Sequence, residues 1–184
     1  MSQTASLVLK SSDLTFGSTT AVGTADTNGV TLTWNNINLR VLLGDIYDQY
    51  DRFNLNLNTI ATSQANTNGI GTATDDRSCY ITIAGLPFVN NSYSQKSNTN
   101  TIETVIASCY FAASGVTTQY FYGNNTTTFI KNQDICNITI TLKKILDNAS
   151  PSTTYAFPKI MFIFDIEGVE AYRVSDITQA RILK

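Results

Sequence analysis

Strict two-residue alternation is the feature that most constrains this chain. Phe53-Asn54-Leu55-Asn56-Leu57-Asn58 puts three apolar side chains on one face and three asparagines on the other. Successive side chains of a strand point to opposite faces, so this run reads as a strand with one face in a core and one in water. A helix would scatter the same residues around its axis. Ile138-Thr139-Ile140-Thr141-Leu142 repeats the pattern, and Val30-Thr31-Leu32-Thr33-Trp34 and Ile81-Thr82-Ile83 follow it less fully. Ile160-Met161-Phe162-Ile163-Phe164 is apolar at every position, which predicts a central strand covered on both faces. Ile102 to Phe111 and Thr117 to Tyr122 bring the expectation to about eight to ten strands.

Turn signals separate these runs: Thr27-Asn28-Gly29, Asn66-Thr67-Asn68-Gly69, Gly123-Asn124-Asn125 and Asp147-Asn148-Ala149-Ser150-Pro151. Asn and Gly tolerate the positive φ that tight turns need. Two longer polar stretches, Thr62–Ser78 and Asn90–Asn100, read as loops of functional length. One segment has a different period. Leu39, Leu42, Leu43, Ile46, Tyr47 and Tyr50 recur at helical spacing and form one apolar face over about three turns. Asn38 is placed to cap it. Gly44 weakens it, at about 1 kcal/mol relative to Ala. The fold class expected is therefore all-β: an eight-stranded jelly-roll sandwich with one short inserted helix at about residues 39–50. It would fill residues 1–170 as a single domain. Residues 171–184 follow as a C-terminal interaction tail, whose Ile177, Ile182 and Leu183 call for a covering partner.

Composition decides which functions remain. There is no histidine among the 184 residues, so a Ser-His-Asp triad, a histidine base and a histidine-ligated metal are excluded. Charged residues are only 14% and the net charge is −2. That is a poor basis for binding phosphates, which needs clustered Lys and Arg. Lys143-Lys144 and the trio Arg173, Arg181 and Lys184 are too sparse for a nucleic-acid groove. No apolar run approaches the length of a membrane span. Met1–Leu14 holds one lysine and the short stretch Leu7-Val8-Leu9, which does not make a signal peptide. Cys79, Cys109 and Cys136 form no CxxC pair and read as small buried apolar residues in a reducing compartment. The sequons at Asn90, Asn124, Asn125, Asn137 and Asn148 are what an Asn- and Thr-rich chain produces by chance.

Several groups bear side chains suited to chemistry. Asp45, Asp48 and Asp51 lie along one helix side, but they lack the irregular loop and bidentate acid of a calcium site and read as a solvated face. Arg40, inside the apolar helix, is expected to play a structural role, either snorkelling or pairing with Asp45 or Asp48. Asp165 and Glu167, two apart on a strand, share a face as the two carboxylates of a glycosidase do. They equally suit a solvated strand end before Gly168. Tyr120-Phe121-Tyr122 and Tyr110-Phe111 put aromatic rings on both faces of strands, so one set is open to a sugar or a protein. Trp34 reads as core. No catalytic, cofactor or metal site is assigned.

What remains is a surface. Its 27 Thr, 18 Asn and 15 Ser are about a third of the chain. Burying amides and hydroxyls against another chain costs less than burying ions. Such a surface suits a shell subunit that touches several neighbours, and it suits a lectin.

The run from Trp34 to Ile60, WNNINLRVLLGDIYDQYDRFNLNLNTI, resembles a stretch in minor capsid proteins of large nucleo-cytoplasmic double-stranded DNA viruses. The closing run from Lys159 to Glu170, KIMFIFDIEGVE, does so too. The middle of the chain, roughly 62–130, carries no such likeness. The resemblance implies a single jelly-roll minor capsid protein, non-enzymatic, that cements or completes an icosahedral shell. Its implied partners are the major capsid protein, other minor capsid proteins and copies of itself in a pentamer or other ring. Its implied location is the virion, after synthesis in the host cytoplasm. No residue role carries over. The alternatives are a glycan-binding lectin-like or fibre-head module, tracked by Tyr120 or Tyr122, and a carbohydrate-active enzyme using Asp165 and Glu167. The contact surfaces expected are the helix around Ile46–Tyr50, the two long loops and residues 171–184.

Overall fold

A computed structural model describes residues 4–13, 25–26, 29–63, 78–89, 92–96, 99–110, 118–119, 121–122, 126–144 and 159–169. The described chain is mostly strand. In order it forms β1 (Thr4–Lys10), β2 (Ala25–Asp26), β3 (Gly29–Asn38), α1 (Leu39–Leu43), α2 (Asp45–Gln49) and β4 (Arg52–Ser63). Then come β5 (Ser78–Ala84), β6 (Ser92–Lys96), β7 (Thr99–Tyr110), β8 (Thr118–Gln119), β9 (Phe121–Tyr122), β10 (Thr126–Ile130), β11 (Ile135–Lys144) and β12 (Lys159–Val169). A single 3-10 turn, Ser11–Asp13, follows β1.

The strands make two antiparallel sheets. One has five strands in the order β1-β12-β4-β10, with β8 also on β4. The other has seven, β2-β3-β11-β5-β7-β6, with β9 also on β7. Every interstrand pair is antiparallel. The long strands pair in a nested way: β1 with β12, β3 with β11, β4 with β10, and β5 with β7.

The inward faces of both sheets merge into one core. Leu7, Leu9, Phe53, Leu55, Phe162 and Phe164 come from one sheet; Leu32, Trp34, Ile81, Ile83, Ile138 and Ile140 come from the other. Trp34 meets Phe162 edge-on across the two sheets, with ring centroids 6.2 Å apart, and its Nε1 donates to the Lys10 carbonyl at 2.9 Å. Phe53 and Phe129 stack at 5.3 Å, both fully buried. Truncating either to Ala removes about 3–5 kcal/mol.

Alternation sets which residues go inward, and bulges reset it. Phe53, Leu55 and Leu57 face in, but the next inward residue is Ile60, three positions on. The register against β12 shifts there, between Ile163 and Phe164, and leaves Asn58 as the extra residue on β4. A bulge is how a strand changes phase without leaving its sheet. A second shift in β11 falls at Asn137, whose Oδ1 accepts from the Asn36 amide at 3.0 Å. Asn36 has φ +59, a conformation asparagine enters more readily than most residues.

Three expectations need correction. The single helix over 39–50 is two five-residue helices. Gly44, at φ 54 and ψ −129, ends α1 and starts α2. The apolar face survives the break, because Leu39, Leu43, Ile46 and Tyr47 are all buried. The loop expected at Asn90–Asn100 is instead β6 and the start of β7, paired from Ser92–Glu103 to Lys96–Thr99. Ladder hydrogen bonds need no apolar period, so a polar hairpin gives no hydropathy signal. β12 is central as expected, but its outward Met161 and Ile163 are only half-buried. Most of the Thr62–Ser78 loop and all of residues 171–184 lie outside the described residues.

Candidate functional site

Chemistry-bearing side chains gather on three surfaces. The first is the elbow made by α1 and α2, packed beside the connection from β10 to β11. The Asn38 side chain accepts from the Val41 amide at 3.0 Å, the cap expected for α1. Arg40 donates to Asp48 Oδ1 at 2.7 Å, and its Nη1 lies 3.7 Å from Asp134 Oδ2. The hydrogen bond and charge of Asp48 raise the Arg40 pKa further above its ordinary value. The Tyr47 hydroxyl donates to Asp134 at 2.7 Å. Burial first, then Asp134, push that hydroxyl up to about 12. Lys131 donates to the Tyr47 carbonyl at 2.7 Å, sits 4.9 Å from the centre of its ring and lies 3.5 Å from Asp51.

Arg40 thus takes Asp48 and Asp134, not Asp45. The acids Asp45, Asp48 and Asp51 do not act together: Asp48 turns to Arg40 and Asp51 to Lys131. The helix around Ile46–Tyr50 was expected to offer a contact face, yet Ile46 and Tyr47 are core and Tyr50 packs against it. The elbow's exposed apolar side chains are instead Val41, 78% exposed, and Ile135 on the neighbouring strand.

The second surface is the outer face of the five-stranded sheet, a ladder of polar donors and acceptors. Thr128 donates to Asn54 at 2.8 Å and Thr126 to Asn56 at 2.6 Å. Asp165 and Glu167 share this face, opposite Asn56 and Asn54. Asp165 accepts from Asn58 Nδ2 at 2.6 Å and from Ser6 at 3.2 Å. It is one rung of the ladder, between β1 and β4.

The third surface is the outer face of the seven-stranded sheet. Thr33 and Thr139 hydroxyls meet at 3.0 Å, and Thr31 and Thr141 at 3.4 Å. Beyond them Lys143 pairs with Glu103, their side chains only 15% and 11% exposed. Tyr80 lies against the same carboxylate. Burial, then the charge and hydrogen bonding of Glu103, push its hydroxyl up to about 12. Beside this ion pair opens a cavity of about 480 Å³, walled by Thr82, Thr141 and the segment Gly85–Phe88.

No match emerges from comparison with known proteins: no family model, no curated protein and no solved structure. Among the described residues no helix is long and apolar enough to cross a membrane.

The remaining sequence candidates fall as follows. Cys136 is free and buried, and burial raises its thiol pKa. Cys79 and Cys109 stand opposite each other in the β5–β7 register. Trp34 is core. Phe111, Tyr120, Arg173, Arg181 and Lys184 lie outside the described residues. Tyr110 and Phe121–Tyr122 end up in β7 and β9. Glu103, Lys131 and Asp134 were missed, since each is an isolated charge whose partner lies far along the chain.

Proposed function

We propose that this chain is a structural shell subunit: a jelly-roll minor capsid protein of a large double-stranded DNA virus. The observation that carries the reading is the nested pairing of eight of the strands. Numbered along the chain as β1, β3, β4, β5, β7, β10, β11 and β12, they pair first with last, second with seventh, third with sixth and fourth with fifth. A long antiparallel hairpin rolled once around its own core has this order, and such double-sheet folds serve in capsids and lectins. The sheet orders 1-8-3-6 and 2-7-4-5 follow from that rolling.

Surface chemistry supports the shell role. Both outer faces carry threonine and asparagine ladders that satisfy one another. The paired hydroxyls and amides of these ladders come out of water at less cost than ions would. Each contact is weak, and many add through effective concentration within a shell. The two sequence runs that resemble minor capsid proteins fall on β3–α1–α2–β4 and on β12.

Crosslinking mass spectrometry on purified particles tests this. The expected result is a fixed copy number, with crosslinks to the major capsid protein, to other minor capsid proteins or to further copies of this chain. Absence from particles would overturn the role.

A further inference from the structure

We propose that the cavity on the outer face of the seven-stranded sheet binds a neutral, hydroxyl-rich ligand of monosaccharide size. This goes beyond the shell role and stands without it.

Its volume, about 480 Å³, lies within the usual range of small-molecule sites, about 300–1,000 Å³. Its walls are firm. Gly85 packs on the Asn137 carbonyl, Val89 donates to the Thr128 carbonyl at 2.9 Å, and Ile130 donates to the Pro87 carbonyl at 3.2 Å. Phe88 is held edge-on to Phe129 at 6.3 Å. The segment from Gly85 to Val89 is thereby tied to both sheets, so the cavity does not depend on ligand to form.

The lining selects the ligand's chemistry. Glu103 and Lys143 both line it and neutralise each other. A cation entering would meet Lys143, and an anion would meet Glu103, so neither gains. Thr82 and Thr141 add hydroxyls that both donate and accept. Pro87 and Phe88 supply an apolar wall for C–H groups. Hydroxyls on one side and C–H groups on the other describe a pyranose.

Saturation-transfer NMR on the full chain tests the site. The neutral probes are the methyl glycosides of galactose, mannose and N-acetylglucosamine; arginine and inorganic phosphate are the charged ones. At least one neutral glycoside should bind, with Kd of about 1 mM. Ala84 is exposed on the cavity lining, so Ala84→Trp should fill the opening without touching the core and weaken binding at least about tenfold. Thr82→Val with Thr141→Val should weaken it as well. Binding by none of the neutral glycosides, tighter binding of arginine or phosphate, or binding unchanged in Ala84→Trp would each overturn the proposal.

Discussion

Gly85 lies against the backbone carbonyl of Asn137 so closely that a β-carbon would overlap the oxygen, and its φ of +103 is one that side chains resist. Gly44 is also at positive φ, but open space surrounds the position its β-carbon would take. The two glycines therefore separate strain from clash. Gly44→Ala should cost about 1–2 kcal/mol, from backbone conformation alone. Gly85→Ala adds overpacking against backbone that cannot rotate away, and should cost about 2–4 kcal/mol. Urea denaturation midpoints of the two variants give the comparison, and equal losses would contradict it.

The Lys143–Glu103 pair is nearly covered, and that sets its behaviour under mutation. Lys143→Met leaves a carboxylate buried without its cation and should lose about 3 kcal/mol. Adding Glu103→Leu should restore most of that loss, because the stranded charge goes too. A double-mutant cycle read by thermal unfolding measures the coupling. Additive losses would show that the two side chains do not depend on each other.

Tyr47 and Tyr80 hold their protons up to about 12, against 10.0 for a free tyrosine. The folded protein thus binds protons that the unfolded chain has released. Their contribution to stability is complete below pH 10 and disappears as pH rises through about 12. Stability should fall over that window, and less so in Tyr80→Phe. Ultraviolet titration of the phenolates beside denaturation at each pH provides the check.

Cys136 is 3% exposed and its thiol is raised by burial, so little thiolate forms at neutral pH. Maleimide should label it only after denaturant is added. Peptide mapping identifies the site, and rapid labelling of Cys136 in the native protein would contradict its place in the core.

Much of the fold was legible where burial imposes a period. Phe53, Leu55, Leu57, Ile138, Ile140 and Leu142 are all buried, as their alternation requires. The helical period at 39–50 named the right inward residues while missing the break, because Gly44 interrupts the backbone without disturbing the spacing of its neighbours. β6 was not legible at all. Nothing in Ser92–Lys96 alternates in hydropathy, and its pairing with β7 rests on backbone hydrogen bonds. The charged sites were illegible for another reason. Asp134 meets Arg40 and Tyr47, and Glu103 meets Lys143 across β5, only because the sheets bring together elements distant in sequence. Asp165 was visible as a residue, but its tie to Ser6 and Asn58 depends on β12 lying between β1 and β4.

That position of β12 governs the order in which the protein can be made. It is the middle strand between β1 and β4, yet a ribosome delivers it after every other described strand. Until then β1 and β4 have no common neighbour. Closure must wait for the most sequence-distant pairing among the described residues, Thr4 to Glu167. Ring-closure entropy makes such late, non-local pairing slow. Nascent chains therefore complete their core slowly, only after β12 has joined both of its neighbours.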